Sequence, residues 1–286
     1  MPDLPLVEGR GRVPVAYNSA GMPAANRTVD QEPATPRAPA ALLLSIDPAR
    51  AIRTLCLCIA VLLGLHGATM AMRMAHVSGL VSFVRLFDLD TEANVPTYYA
   101  VQQLACAAVL LMVIGADARQ RGARFARHWL VLGVLFWFLS LDELAQIHES
   151  LSRVVRTRLH VDGMLHHAWV IPYGVFTAAV GLAYLPFLMH LPGRMRRLVV
   201  WAALIYLGGA VGMELYGGLL HARLGVAELG TSTAYMTEVV VEEGMEMFGI
   251  ALFIYALLTH MQETMGRIHM AIGPAPAGPD GGGGGN

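Results

Sequence analysis

The last long apolar stretch of the chain carries four glutamates where a membrane helix ordinarily carries none. They are Glu238, Glu242, Glu243 and Glu246, and apolar residues continue to Leu258. An ionised carboxylate near the centre of a bilayer costs about 2.5–3.5 kcal/mol. Such a group must therefore be protonated, face a wet cavity or bind a cation. Because Glu238, Glu242 and Glu246 step about one turn at a time along one helical face, this stretch predicts a polar site.

Two other apolar segments carry residue types that bind metal ions. In one, an Asp-Glu pair is followed by a His-Glu pair, and in the other a glutamate lies seven residues before a histidine on the same face. Carboxylates and imidazoles together bind iron, manganese or zinc, so we expect a divalent metal ion as cofactor. The Glu-x-x-His motif of di-iron bundles is missing, so a ferritin-like site is permitted but not specified. The candidate ligands are Asp142, Glu143, His148, Glu149, Glu214, His221, Glu238, Glu242, Glu243 and Glu246.

Composition identifies the kind of protein that must position these residues. Of the 286 residues 55% are apolar and only 14% are charged, whereas soluble domains carry about 25% charged residues. The net charge of −1 gives no indication of a nucleic-acid partner, and the lipid bilayer is the expected surrounding. We therefore predict an all-α polytopic membrane protein, a six-transmembrane-helix bundle. Its spans are predicted at 53–74, 97–116, 128–148, 168–190, 197–220 and 235–259.

The two ends of the chain differ from this apolar body. Residues 1–50 are rich in Pro and Ala and show no sustained periodicity, and the chain closes in a glycine run. These compositions predict a disordered cytoplasmic tail over 1–50, a membrane domain over 51–260 and a disordered low-complexity tail over 261–286.

Arginine placement indicates the orientation of the bundle. The connections 116–127 and 191–197 are rich in arginine, whereas the connection after the fifth span holds only Arg223. The 149–167 loop, with three arginines, argues the other way. By the positive-inside rule, both termini are predicted to be cytoplasmic, in the inner membrane of a bacterium.

With this orientation the polar residues of all six spans reach one depth. Counting 1.5 Å per residue from the cytoplasmic ends, Asp142 and Glu246 lie about 20 Å into the membrane and Glu214 about 24 Å. His66 in the first span, Gln102 and Gln103 in the second and Tyr173 in the fourth reach a similar level. This agreement predicts a single site in the outer leaflet. His148, His166 and His167 would join it only if their loops fold inward.

Local spacing within this layer gives three further expectations. Asp142, Gln146 and Glu149 fall within about 60° of arc if their helix continues. Gly208 and Gly212 form a GxxxG pair that predicts a close helix contact. The oxygen-rich segment 86–97 has the alternation of a calcium loop, but it lacks the glycine and distal glutamate of an EF-hand. We therefore interpret it as a capped helix start, with Asn94 as the cap and Pro96 in the first turn.

Three motifs support a family resemblance. They are FDLDxExNxPT at 87–97, SLDExxxxHE at 140–149 and EEGxEM at 242–247. With these motifs the chain resembles an uncharacterised family of bacterial multi-pass membrane proteins. The resemblance implies a membrane fold and carries no activity with it.

Three functions are compatible with these residues. The first is a metalloenzyme, open to the periplasm and acting on a hydrophobic small-molecule substrate, with Asp142, Glu242 and Glu246 as catalytic groups. The second is a proton or divalent-cation transporter, and the third is a non-catalytic membrane partner subunit. The carboxylates could also be structural, either protonated or paired with arginine. The inner halves of the spans are almost wholly apolar, which favours an enclosed, one-sided site over a conduction path.

Overall fold

The computed structural model of the chain describes residues 42–75, 79, 81–229, 232–266 and 269–272. Between residues 46 and 266 the described structure is all-helical, and two four-residue strands, Leu42–Ser45 and His269–Ile272, flank this region in the sequence. The helices are α1 (Pro48–Met74), α2 (Val81–Leu86), α3 (Val95–Gln120), α4 (Ala126–Ala145), α5 (Ile147–Leu159), α6 (Val170–His190), α7 (Gly193–Leu207), α8 (Glu214–Leu229) and α9 (Thr233–Met265).

Polar caps fix where the long helices begin. Asp47 accepts a hydrogen bond from the amide of Ala49 at 3.0 Å at the start of α1. Asn94 accepts one from the amide of Thr97 at 3.1 Å at the start of α3, and Pro96 lies in the first turn. The predicted cap and first turn of this helix are therefore confirmed. Each cap satisfies an amide that has no partner within its helix.

Five helical segments in the described part of the chain are long and apolar enough to cross a membrane. They are Pro48–Met74, Val95–Gln120, Ala126–Ala145, Val170–His190 and Gly193–Leu224. This agrees with the predicted membrane protein. The last segment comprises α7, a wider π-helical turn at Gly208–Met213 and α8. The predicted sixth span corresponds to α9, whose carboxylates set it apart from these five, so six spans remain a prediction.

Helix α9 contacts α1, α3 and α7, and α3 and α4 form the most extensive helix pair. The C-terminal half of α9 contributes Ile250, Ile254 and Leu257 to a large apolar core. Its closest neighbour is α7, because a Cβ atom added at Gly249 would lie 2.7 Å from the backbone nitrogen of Tyr206. A glycine is needed there for the two backbones to approach. This close packing fixes the height of α9 and of its glutamates.

Several predicted boundaries differ from the structure. The expected 149–167 loop contains the amphipathic helix α5. Helical structure begins at Pro48 and ends at Met265, a few residues beyond the expected 51–260 domain. Of the two predicted tails, 1–50 and 261–286, most residues lie outside the described part of the chain, namely 1–41 and 273–286.

The predicted GxxxG contact is only half present. Gly208 packs against Met245 of α9, but no atom lies within 4 Å of a Cβ added at Gly212. Gly209 makes the second close contact instead, against the backbone oxygen of Glu242. The π-helical turn explains the difference, because it changes the rotation per residue and so turns Gly212 away from α9.

Candidate metal centre

A break after α4 reshapes the predicted acidic stripe. Gln146 adopts a left-handed conformation, with φ 54° and ψ 43°, so α5 leaves in a new direction. Asp142 and Glu149 therefore do not continue along one helix, and the predicted 60° stripe is wrong. The break folds the chain back so that the amide of His148 donates to Asp142 Oδ1 at 2.8 Å. Left-handed geometry at a glutamine is uncommon and leaves no periodicity signal.

The side chains of Asp142 and His148 also pair. His148 Nδ1 lies 3.5 Å from Asp142 Oδ2, and Asp142 is buried. Burial lowers the pKa of His148, but the hydrogen bond and charge of Asp142, together with the charges of Glu143 and Glu149, outweigh it. The pKa of His148 therefore rises to about 9. The pairing engages His148 Nδ1 and holds α5 against the end of α4.

A second histidine–carboxylate pair joins the 160–169 connection to α8. His167 Nδ1 lies 3.0 Å from Glu214 Oε1, and Trp169 Nε1 donates to the same oxygen at 2.7 Å. Glu214 follows the π-helical turn directly, at the first residue of α8. Burial lowers the pKa of His167, but the hydrogen bond and charge of Glu214 outweigh it and hold the pKa above the ordinary histidine value. The connection has therefore folded inward, which brings His167 into the polar layer.

His167 belongs to two groups with the spacing of metal ligands. Glu149, His167 and Glu214 form one group, and His166, His167 and His221 form the other. In each group, one ligand atom per residue lies within 4.8 Å of the others. The two groups meet at His167, so they describe one centre with alternative donors.

The donor sets of the two groups differ in charge and availability. Arg156 Nη1 lies 3.3 Å from His166 Nδ1 and 3.1 Å from His166 Nε2. The His166 ring stacks on the His221 ring, with 4.5 Å between the ring centroids. A guanidinium at this distance both occupies an imidazole nitrogen and repels a metal cation. The Glu149, His167 and Glu214 group instead offers two carboxylates that would neutralise a divalent ion. The geometry therefore favours Glu149, His167 and Glu214 as the ligands.

A chain of carboxyl groups extends from Glu214 into α9. The carboxyl group of Glu242 lies within hydrogen-bonding reach of both Glu214 and Glu238. Two carboxyl groups can share a hydrogen bond only if one of them carries a proton. Glu238 is buried, and its Oε1 has no hydrogen-bond partner. Its carboxylate packs over Gly217, where an added Cβ would lie 2.8 Å from Oε1, so this glycine makes room for the acid.

Four further glutamates form a second group, here called the inner carboxylates. They are Glu92, Glu143, Glu243 and Glu246, and the strongest electrostatic neighbours of Glu243 and Glu246 are all carboxylates. Glu92 comes from the segment before α3, and burial together with the charge of Glu149 raises its pKa. In the sequence, Glu92 is only one of the oxygen donors of segment 86–97, because nothing in its local pattern indicates which way the segment faces.

The structure thus divides the ten predicted ligands among three positions. Glu149, Glu214 and His221 lie around His167, and Glu242 and Glu238 adjoin them. Glu143, Glu243 and Glu246 belong to the inner carboxylates, and Asp142 pairs with His148. The sequence predicts that His166 and His167 join the layer only if their loops fold inward, and both contact the site together with Trp169. A histidine pair directly before an apolar span was the only signal that could have identified them.

The other residues of the predicted polar layer have separate surroundings. His66 Nδ1 accepts from the amide of Leu89 at 3.0 Å and borders a cavity near Asp88. Tyr173 interacts with Asp142, and Gln102 is exposed. Gln103 alone reaches the inner carboxylates, because it borders the same cavity as Glu143 and Glu246.

Comparison with known families places these residues in a wider group. The model of a domain of unknown function, DUF8692, matches residues 54–261. The chain belongs to this family. No curated protein and no solved structure matches the chain.

The extent of the family match bears on both the fold and the site. The matched region reaches from within α1 into α9, and it contains every candidate ligand, including His166 and His167. An uncharacterised family is what the sequence resemblance predicts. The bacterial origin and the three defining motifs remain predictions.

Proposed function

We propose that the chain is a six-span membrane protein with an imidazole–carboxylate metal centre near the outer ends of its helices. Glu149, His167 and Glu214 are the ligands of a divalent iron, manganese or zinc ion, and His221 is the next donor. The observation that carries this proposal is the convergence of these donor atoms from three separate elements within 4.8 Å.

Helix α9 is the proposed sixth span. Its 33 residues give a length of about 50 Å, more than the hydrocarbon core requires. The glutamates of α9 lie against other carboxylates and against Gly209 and Gly217 of the preceding helices, so they face protein. Intramembrane acids that face a bundle interior are the ones that membranes tolerate. The proposed orientation keeps both termini cytoplasmic, in a bacterial inner membrane, with support from the arginines of 116–127.

The ligand number favours an enzyme over a structural metal site. Structural zinc sites are closed by four protein ligands, whereas catalytic sites use three and leave a position for water or substrate. Glu149, His167 and Glu214 make such a three-ligand set. The metal would activate water against a hydrophobic substrate that reaches the site from the bilayer. Glu242, in contact with Glu214, is the nearest proton carrier, and Asp142 and Glu246 are more distant acid–base candidates.

A transporter is the second candidate, and the apolar core argues against it. A conduction path needs polar steps on the cytoplasmic side of the site. There the described helices contribute buried apolar residues to one core cluster, among them Leu111, Ile114, Phe253 and Leu257. A non-catalytic partner subunit does not need an open coordination position on the metal. Metal-dependent turnover would therefore distinguish an enzyme from a partner subunit.

Metal content of the detergent-purified protein tests the proposal. We expect one equivalent of a transition metal in the wild type and less than about a tenth of that in His167→Ala and Glu214→Gln, because each removes a direct ligand. His190→Ala is the matched control, since His190 is exposed at the opposite end of α6. Because His167 must lose its proton to bind the ion, uptake should also release protons.

Two results would contradict the proposal. One is a full metal equivalent in both ligand variants, and the other is the absence of metal from a wild type supplied with iron, manganese and zinc. If metal binds, incubation of the protein with a total membrane lipid extract, followed by mass spectrometry, tests for turnover that both variants lack.

A further inference from the structure

The inner carboxylates crowd together without a matching positive charge. Glu243 and Glu246 extend from α9 toward Glu143 of α4 and Glu92 of the segment before α3. His148 is the one cation among the strongest neighbours of Glu143, and it is already paired with Asp142. Carboxylates that approach one another in a medium of low dielectric repel strongly. Either protons or a bound cation must relieve this repulsion.

A cavity separates two of these glutamates. Its volume is about 10 Å³, and Glu143 and Glu246 border it from α4 and α9. Gln103 of α3 and Tyr206 of α7 are its other polar lining residues, and the remaining walls are apolar. Four helices therefore contribute polar residues to one small, partly open space.

The side-chain amide of Gln103 is oriented by its neighbours, and its oxygen is left without a partner. The Tyr99 hydroxyl donates to the backbone oxygen of Leu55 at 3.1 Å, so it must accept from Gln103, whose Nε2 lies 3.2 Å away. The side-chain nitrogen of Gln103 must therefore face the Tyr99 hydroxyl. Gln103 is only 3% exposed, and its Oε1 has no hydrogen-bond partner. A buried oxygen left in this way costs about 1–3 kcal/mol.

We propose that this cavity is a second cation site, built from oxygen donors alone, for a hard divalent cation such as Mg²⁺, Ca²⁺ or Mn²⁺. Gln103 Oε1, Glu143 and Glu246 are its ligands, and Glu243 adds negative charge nearby. Hard cations bind carboxylate and amide oxygens and retain water molecules in their coordination shell. Retained water suits carboxylates that face one another across a cavity. One cation would neutralise Glu143 and Glu246 and give the Gln103 oxygen a partner.

This site is chemically distinct from the centre at His167, so it does not depend on the proposed function. The His167 centre contains imidazole and suits zinc or iron, whereas the described lining of the cavity includes no histidine or cysteine, and its one sulfur is the Met247 thioether. The two centres should therefore select different metals from a mixture.

Manganese binding tests the second site. The detergent-purified full chain is saturated with Zn²⁺ to fill the His167 centre and titrated with Mn²⁺, and free Mn²⁺ is measured by electron paramagnetic resonance. We expect one Mn²⁺ per chain, displaced by an excess of Mg²⁺ or Ca²⁺. Gln103→Leu and Glu246→Gln should each weaken Mn²⁺ binding at least about tenfold.

Matched variants separate a lost ligand from a lost fold. Gln102→Leu changes the neighbouring, exposed residue of α3 in the same way and should bind Mn²⁺ like the wild type. Gln103→Glu, unlike Gln103→Leu, has an oxygen donor at this position and should bind Mn²⁺. His167→Ala should lose zinc and keep Mn²⁺.

The outcomes distinguish the two proposals. Wild-type Mn²⁺ affinity in both Gln103→Leu and Glu246→Gln would overturn the second site, as would the absence of Mn²⁺ from the zinc-loaded wild type, which would leave protons as the neutralising species. Loss of Mn²⁺ in His167→Ala would also overturn it, because the ion would then reside at the first centre. Retention of zinc by His167→Ala would refute only the proposed function.

Discussion

A single methyl group at the crossing of α7 and α9 should separate these helices and disturb the inner carboxylates. In Gly249→Ala the new Cβ would lie 2.7 Å from the Tyr206 nitrogen, 2.8 Å from its Cβ and 2.9 Å from its Cα. Ordinary contacts between such atoms are about 3.5–4.0 Å. Two of these three atoms belong to the backbone, so no rotamer change can relieve the contact. Helix α7 must therefore move away by about 1 Å.

The free-energy cost follows from two opposing terms. Overpacking a close contact costs about 1–3 kcal/mol. Replacing a helical glycine by alanine returns about 1 kcal/mol through helix propensity. We expect a net destabilisation of about 0–2 kcal/mol. For a chain of this size each kcal/mol lowers the Tm by about 2–4 °C.

Gly64→Ala is the matched control, since Gly64 is helical and exposed on α1, with no atom within 4 Å of an added Cβ. It should raise the Tm slightly, through helix propensity alone. Thermal unfolding of both variants in the same detergent, followed by circular dichroism, measures the difference. Gly249→Ala should also bind Mn²⁺ more weakly, because Tyr206 borders the cavity with Glu246. Equal or higher stability of Gly249→Ala relative to Gly64→Ala would refute the close crossing.

Two further predictions concern the outer face. The pKa of His148 is about 9 in the folded chain and 6.5 ordinarily, so its pairing with Asp142 stabilises fully below about pH 6.5 and is lost as the pH rises through 9. The stability lost is at most about 3 kcal/mol. The Tm of His148→Gln should therefore fall less than that of the wild type between about pH 6 and pH 10. Parallel curves of Tm against pH for the two proteins would contradict this. In intact cells an impermeant maleimide should label a cysteine at Arg158 in α5 but not one at Arg121, and the reverse pattern would invert the proposed orientation.

The apolar spans and their caps were accessible from the sequence because both follow from local chemistry. A helix start at Asn94 needs only an acceptor side chain and a proline in the first turn, and the structure has both. Likewise the stripe of glutamates in α9 predicts a polar site, and Glu242 and Glu214 are close electrostatic neighbours. The rise per residue sets the position of a side chain along its helix axis, whatever the neighbouring helices are.

The membership of the site was less accessible, because it depends on where the connections between helices fold. The left-handed Gln146 redirects the chain after α4, and no residue preference signals it. His167 enters the site because its connection folds inward onto α8, which sequence alone leaves open. A glutamate such as Glu92 can face water or the bundle with the same local pattern. Tertiary packing decides between the two.

Charge balance explains why two cations suit this bundle better than one. At the outer centre Glu149 and Glu214 supply two negative charges, which one divalent ion would neutralise with His167 as a neutral ligand. Glu143 and Glu246 supply two more across the cavity. Between them, Glu242 adjoins both Glu214 and Glu238, where a shared proton suffices. Since an uncompensated charge in an apolar interior is costly, each cluster requires its own counter-charge. The different donor sets, imidazole with carboxylates in one cluster and amide with carboxylates in the other, are therefore the strongest argument for two ions of different chemistry.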